Sequence, residues 1–204
     1  GGRKLHFNSG TYDLGSGTNP TDYIIAANDK LVLLGNIVFS SASSNDILIL
    51  LSADSIDVSN LRSLTYTGEE LGIGSFEALN FENVSLKAEG ALSVRSLDSI
   101  VLNNAEMITS GKGADFVHLI AASEIHANSL QFSSQVKEIA MQAMTINLSN
   151  LNFPSNSNVI LNSLYGGMDG KYPNFGSVQY GRVNFIQNIM YGSQSITDRS
   201  SFNQ

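Results

Sequence analysis

Apolar and polar residues alternate along most of this chain in short runs that recur at regular intervals. Six runs share one rule: apolar, any residue, apolar, any residue, Asn, apolar, any residue, apolar. We call the fifth place the anchor, and the six anchors are Asn36, Asn60, Asn83, Asn104, Ser129 and Asn150. Successive anchors lie 24, 23, 21, 25 and 21 residues apart. Period-two alternation predicts β-strands, and a repeat of this length predicts a solenoid of stacked coils.

The pattern extends in both directions and predicts three short strands in each coil. Weaker copies at the two ends have Ser9 and Asn188 as anchors. A second strand precedes each anchor, with its inward residues twelve and ten places before it. The pairs expected to face inward are Ile24 and Ala26, Leu48 and Leu50, Leu71 and Ile73, Leu92 and Val94, and Val117 and Leu119, with a local slip toward Ile139 in the next coil. A further apolar position lies seven places before the anchor, at Ala53, Phe76, Leu97, Ala122 and Ala143.

Inward residues of successive coils are expected to stack in columns, because residues two apart in a strand share a face. One expected aliphatic column comprises Ile56, Leu79, Ile100, Ile125 and Ile146. A second expected column comprises Phe39, Leu86, Met107, Phe132 and Phe153.

The anchor asparagines suit a bend between two strands, since Asn tolerates left-handed backbone angles better than most residues. Their amides can also bond from coil to coil, and we expect such a ladder to satisfy polar groups inside the bend. Ser129 has no amide, so the ladder should break there.

The chain is expected to form one domain. Residues 1–192 form the solenoid, a long Gly-rich loop is inserted at about 166–181, and residues 193–204 form a polar tail or cap.

The coil length resembles that of right-handed parallel β-helices of the pectin-lyase-like superfamily. A hexapeptide left-handed helix would repeat at 18 residues, and leucine-rich repeats would show Leu at fixed places. The predicted fold is therefore an all-β, single-stranded, right-handed parallel β-helix of about eight coils of 21–25 residues. In style it is similar to filamentous-haemagglutinin-like and autotransporter passenger solenoids. That resemblance implies a non-catalytic structural or adhesive segment of a larger bacterial protein, secreted or on the cell surface.

Composition narrows the possible partners. The net charge is −7 and no cluster of Lys or Arg occurs, which disfavours nucleic acid. Cysteine is absent, which excludes disulfides and thiolate zinc sites. No apolar run approaches the roughly 20 residues of a membrane span, so we expect no membrane insertion of this segment. The start at Gly1-Gly2 is expected to reflect trimming, so a signal peptide can have been removed.

Many relatives on this fold cleave acidic polysaccharides, yet their motifs are missing here. The Asn-Thr-Asp, Asp-Asp, Gly-His-Gly and Arg-x-Lys segments of polygalacturonase-like enzymes do not occur. The sequence therefore assigns no catalytic residue and no cofactor, and a divergent polysaccharide lyase or hydrolase stays an alternative. Asp54, Glu77 and Asp98 lie in one expected column and are candidate Ca²⁺ ligands; the plainer interpretation is a row of solvated carboxylates.

The inserted loop supplies the candidate ligand-binding residues. Tyr172, Phe175, Tyr180 and Arg182 suit sugar stacking or contact with a host or cell-surface protein. The competing interpretation is a cap in which Tyr172 and Phe175 plug the open end. His118 and His126 are expected to lie on different faces and to share no metal. A carbohydrate-binding module is thus a third functional alternative.

Overall fold

The computed structural model describes residues 3–15, 21–163 and 183–196, together with the backbone of 178–179. All regular structure in these residues is β-strand. The strands are β1 (Lys4–Phe7), β2 (Gly10–Asp13), β3 (Asp22–Ala27), β4 (Lys30–Ser40), β5 (Ile47–Ser52), β6 (Ser55–Tyr66), β7 (Glu70–Ser75), β8 (Leu79–Glu82), β9 (Ser85–Ala88), β10 (Ala91–Ser96), β11 (Ser99–Asn103), β12 (Glu106–Thr109), β13 (Phe116–Ala121), β14 (Glu124–Asn128), β15 (Gln131–Phe132), β16 (Glu138–Ala143), β17 (Thr145–Phe153), β18 (Asn158–Ser163), β19 (Val178–Gln179), β20 (Val183–Tyr191) and β21 (Gln194–Ile196). Within the described ranges no helix is long and apolar enough to cross a membrane.

The strands form three sheets that stack coil on coil. Sheet A has the order β1-β4-β6-β9-β12-β15, with β2 also paired to β4. Sheet B has the order β19-β18-β16-β13-β10-β7-β5-β3, and sheet C the order β21-β20-β17-β14-β11-β8. Pairing is parallel in all three sheets except between β20 and β21. The predicted parallel β-solenoid with three strands per coil is therefore confirmed.

The solenoid has about six turns, fewer than the eight coils predicted. At the start, β1 and β2 pair in parallel with β4, but no described strand of sheet B precedes them, so they form only part of a turn. At the other end, β21 folds back antiparallel on β20, with Ile189 opposite Ile196. Since a reversed strand cannot continue a parallel stack, the repeat of described turns stops there.

The expected aliphatic column is confirmed in the core. Ile56, Leu79, Ile100, Ile125 and Ile146 are all buried. Ile100 is in register with Leu79 on one side and with Ile125 on the other. Burying each such side chain contributes about 1.5–3 kcal/mol, so these columns are the main source of stability.

The predicted place of Phe39 in the second column is wrong, although Phe39 is buried. β4 and β6 pair with two register shifts, so Asn36 lies opposite Ser63, whereas Asn60 lies opposite Leu34. Counting from the anchors therefore misplaces Phe39, which stacks between Tyr12 and Tyr66 and not in the column of Leu86. The second column otherwise holds, because Leu86, Met107 and Phe132 are in register, although Phe132 is only partly buried.

The first strand of sheet B is also shifted by one residue from its prediction. Tyr23 and Ile25 stack on Leu48 and Leu50, and Ile24 is 63% exposed. A one-residue slip moves every side chain of a strand to the other face. The remaining predicted pairs in sheet B are buried, and the slip toward Ile139 is confirmed by its register with Val117.

The later anchors adopt the expected left-handed backbone conformation. The φ angles lie between 50° and 56° at Asn83, Asn104, Ser129, Asn150 and Asn188. In the first full turn Gly35, with a φ of 73°, takes that conformation beside Asn36. Glycine has no Cβ to clash in that conformation, so the turn at Gly35 bends without a left-handed Asn36.

The amide ladder forms in the later turns and breaks at Ser129 as predicted, whereas Asn36 accepts from Ser63 Oγ (2.9 Å) and Asn60 donates to Ser59 Oγ (3.4 Å). The amide of Asn104 donates to Asn83 (2.7 Å), and that of Asn188 donates to Asn150 (3.1 Å). At the break, Asn150 donates instead to the Asn128 side chain (3.0 Å). The four ladder asparagines are exposed, so the expectation that the ladder lies inside the bend is wrong.

A row of buried serines ends the strands of sheet B. Ser52, Ser75 and Ser96 are in register in successive turns. Their hydroxyls donate to the carbonyls of the turns before them, at Asp29 (3.0 Å), Asp54 (3.2 Å) and Glu77 (2.9 Å). These bonds satisfy carbonyl groups at the bend, and they hold the following residues in line from turn to turn.

Candidate functional site

A strip of apolar side chains runs along the outer edge of sheet B. Because Ser52, Ser75, Ser96 and Ala121 are in register, the residues that follow them also align, namely Ala53, Phe76, Leu97 and Ala122. Phe76 is 59% and Leu97 is 62% exposed. The sequence pattern grouped these positions with the strands, yet the structure turns them outward at the bend.

The strip borders an open groove of about 490 Å³. Its walls include Leu51, Phe76, Leu97 and Ile120, and Arg95 lies at its border with the sheet. β7 has Glu70, Gly72 and Gly74 on this outer face, and the two glycines leave room beside β5. A Cβ at Gly74 would approach Leu51 Cδ2 to 2.7 Å, so the glycine is what lets the Leu51 side chain lie across β7.

An acidic row runs directly beside the apolar strip. Asp54, Glu77 and Asp98 each follow a strip residue, and the main chain links them from turn to turn, with Glu77 N donating to Asp54 O (3.1 Å). The spacing from the anchors also places Lys30 in this column beside Asp54, and the structure contradicts that placement. Lys30 lies opposite Ser55, so Asp29 occupies the place next to Asp54 and extends the row to four carboxylates.

Asp54, Glu77 and Asp98 are exposed, Asp29 is half-buried, and none of the four has an ion-pair partner within the described structure. Lys30 contacts Asp57 instead (2.9 Å), and no ion pair reaches Asp29, Asp54, Glu77 or Asp98. Across the described residues no group of three or more acidic, His or Cys side chains is placed to hold a metal ion. Calcium binding at Asp54, Glu77 and Asp98 stays a prediction.

In the later turns the outer face of sheet B has polar and aromatic side chains in place of the apolar strip. His118 Nε2 lies 2.7 Å from Glu138 Oε1, and the imidazole stacks on Phe116 with ring centroids 4.2 Å apart. His126 lies on β14 in sheet C, 4.0 Å from Glu124. The two histidines therefore lie on different faces, as expected.

A second open groove, of about 660 Å³, lies beside the amide ladder where β15 ends sheet A. Its lining combines amide side chains with apolar ones: Leu130, Gln131, Phe132, Ser134, Asn150, Leu151, Asn152, Pro154, Asn188 and Met190. Asn150 and Asn188 are already joined to each other through the ladder. Asn152 is exposed, and its side-chain amide has no hydrogen-bond partner in the described part of the chain.

The sequence placed its candidate ligand-binding residues elsewhere. Tyr172, Phe175, Tyr180 and Arg182 lie outside the described residues, as do most of the loop at 166–181 and the end of the proposed tail. The signal that the sequence did offer for the groove was an apolar residue next to an acidic one, in Phe76-Glu77 and Leu97-Asp98.

Comparisons of the sequence and the structure with known proteins found no matching family model, no matching curated protein and no matching solved structure. Function must therefore be argued from the molecule's own surface.

Proposed function

We propose that this chain is a non-catalytic adhesive solenoid that binds a macromolecular partner through the groove on sheet B. The observation that carries the proposal is the exposure of three apolar side chains that line this groove, Phe76 and Leu97 of the apolar strip and Leu51 of β5. A side chain of this size gains about 1.5–3 kcal/mol on full burial, so each strip residue has binding free energy to contribute. Contiguous exposed apolar patches on soluble proteins commonly mark interaction sites.

The architecture supports an extended contact surface. Each turn repeats the same outward positions, so a partner can meet equivalent side chains in several coils. The hydroxyls of Ser52, Ser75 and Ser96 bond to carbonyls of the preceding turns. These bonds hold the bend, so the strip keeps its position whether or not a partner is bound. A preorganised surface loses little conformational entropy on binding.

We further propose that the chain belongs to a secreted or surface-exposed bacterial protein. Only 14% of its residues are charged, and its polar surface relies on Ser, Asn, Thr and Gly, as in the passenger solenoids that it resembles. A relation to the right-handed helices of the pectin-lyase-like superfamily is part of the same proposal. Its support is the coil length and the asparagine-lined bend.

Carbohydrate binding is a second candidate, favoured by the groove beside the amide ladder. Asn152 presents an unpaired amide there next to Met190 and the partly buried Phe132. Amide groups beside apolar surface suit the hydroxyls and C–H faces of a sugar.

Attachment of protein-coated beads to protein films, cell monolayers and polysaccharide films tests both functions. We expect beads carrying the original protein to attach to a protein-rich surface. The double variant Phe76→Ser/Leu97→Ser should reduce attachment at least about tenfold, since central apolar contacts dominate binding. Ile186→Ser is the matched control, because Ile186 is 59% exposed on sheet C, away from the groove.

The results separate the two candidates. Equal attachment of the double variant and the original protein, or no attachment to any surface, contradicts the adhesive function. Attachment to polysaccharide films that is lost in Asn152→Ala but kept in the double variant favours the carbohydrate-binding function instead.

A further inference from the structure

We propose that the groove on sheet B receives a cationic amphipathic segment of another protein, with apolar side chains in the groove and Lys or Arg side chains along the acidic row. This inference deepens the proposed function and rests on it. The acidic row is the set Asp29, Asp54, Glu77 and Asp98. The acidic row requires positive charge on one face of the partner segment, and the apolar strip requires apolar side chains on the adjacent face.

The groove selects apolar side chains. Leu51, Phe76 and Leu97 line it, and Gly74 leaves its floor without a side chain. The strip has small side chains, Ala53 and Ala122, on either side of Phe76 and Leu97, so these two larger side chains provide most of its apolar surface. Only one cation, Arg95, borders this groove within the described structure, and its Nε donates to Ser93 Oγ (3.4 Å).

The acidic row selects positive charge. Adjacent coils lie about 4.8 Å apart, so four carboxylates in successive turns span about 14 Å. None of them forms an ion pair with a described residue, and Asp54, Glu77 and Asp98 are exposed while Asp29 is half-buried. Aligned unpaired carboxylates repel one another, and a row of ammonium or guanidinium groups relieves that repulsion.

A polypeptide fits this pair of features better than the other occupants. Anionic lipid surfaces would meet the acidic row and be repelled. A second copy of the chain would bring the same row and a further net charge of −7. A helix of about ten residues spans the 14 Å of the row, and its apolar and basic faces lie side by side, which suits helix-in-groove recognition.

Three designed peptides of equal length provide the probes: one with Leu and Lys faces, one with Leu and Glu faces, and one with Ser and Lys faces. Fluorescence anisotropy measures their binding to the full chain. We expect the Leu/Lys peptide to bind and the other two to bind at least about tenfold more weakly. Raising the ionic strength from about 0.01 to about 0.15 M shortens the Debye length from about 30 to about 8 Å and should weaken binding.

Two charge variants assign the effect to the row. Glu77→Gln/Asp98→Asn removes two carboxylates beside the groove and should weaken binding of the Leu/Lys peptide by about threefold to tenfold. Glu82→Gln/Glu106→Gln removes two exposed carboxylates elsewhere and should leave binding unchanged. Circular dichroism and thermal unfolding verify that both variants keep the fold.

Several results would overturn the inference. One is binding of the Leu/Glu or Ser/Lys peptide as tight as that of the Leu/Lys peptide, and another is an equal loss of Leu/Lys peptide binding in both charge variants. The others are binding to phosphatidylserine vesicles in place of peptide, and a dimer in sedimentation that Phe76→Ser/Leu97→Ser dissociates. If beads attach to protein through the strip while peptide charge has no effect, the proposed function stands and this inference fails. If the strip variant leaves bead attachment unchanged, the proposed function fails as well.

Discussion

Replacing Ser129 by Asn should join the two halves of the amide ladder. Ser129 has a φ of 55°, the same left-handed conformation as the asparagines of the ladder. Asn104 donates its side-chain amide to Asn83, so its Oδ1 is left as an acceptor for the next coil. An amide at residue 129 can donate to that oxygen. It can also accept from Asn150, which now donates to Asn128.

Two contributions set the expected stabilisation. Asn is several-fold enriched over typical residues in the left-handed region, which corresponds to about 0.6–1 kcal/mol. Because Asn150 would exchange one acceptor for another, the net gain is one exposed hydrogen bond, about 0.5–1 kcal/mol. The sum is about 1–2 kcal/mol, or a Tm higher by about 2–8 °C for a chain of this size.

Urea unfolding followed by circular dichroism and by intrinsic tyrosine fluorescence measures the change. Agreement between the two probes tests whether the solenoid unfolds as one cooperative unit. Ser129→Gly is the matched control, since glycine accepts the backbone angles but supplies no amide. An increase in Ser129→Asn no larger than that in Ser129→Gly would show that the ladder contributes nothing. A decrease would refute the reasoning altogether.

Two further predictions concern buried and paired ionisable groups. Tyr66 is 1% exposed, and its hydroxyl has no well-aligned hydrogen bond in the described structure, although the nearby Ser41 hydroxyl offsets part of the effect of burial on its pKa. Tyr66→Phe should therefore raise the free energy of unfolding by up to about 1 kcal/mol in urea titrations. Burial raises the pKa of Tyr66 to about 12. The unfolded state loses this proton near pH 10, so stability should fall between about pH 10 and 12 in the original protein and less in the variant. The Lys30 ammonium beside Asp57 lowers the pKa of that carboxyl to about 2. The contribution of the Lys30–Asp57 ion pair to the free energy of unfolding is complete above about pH 4 and is lost as the pH falls toward 2. It amounts to less than about 1 kcal/mol because the pair is solvated, and acid titration of Asp57→Asn should lack this loss.

Much of the solenoid follows from local pattern. Alternation identifies the strands because an inward residue must be apolar in every turn, as Leu79, Ile100 and Ile125 are. The left-handed anchors are also local, since Asn104 and Asn150 suit their bends whatever surrounds them. Register in the first coils is different. The two shifts between β4 and β6 depend on how whole strands pack, and nothing in the spacing of Asn36 and Asn60 marks them.

In the candidate site, too, the sequence predicted some features and the packing of the turns decided others. The sequence aligned Asp54, Glu77 and Asp98, because a constant spacing from the anchor carries over to a constant place in the coil. It did not reveal that Phe76 and Leu97 point outward, since an apolar residue at a bend fits either face.

By itself, then, the sequence determined that this chain is an all-β solenoid with three strands per turn and an asparagine-lined bend, because repeated local patterns must repeat in space. Only the tertiary structure decided the number of turns, the register of the first coils and which apolar residues meet solvent. Each of these depends on contacts between turns, and a shift of one residue reverses which face a side chain occupies. The groove on sheet B and the acidic row beside it exist only once the turns are stacked.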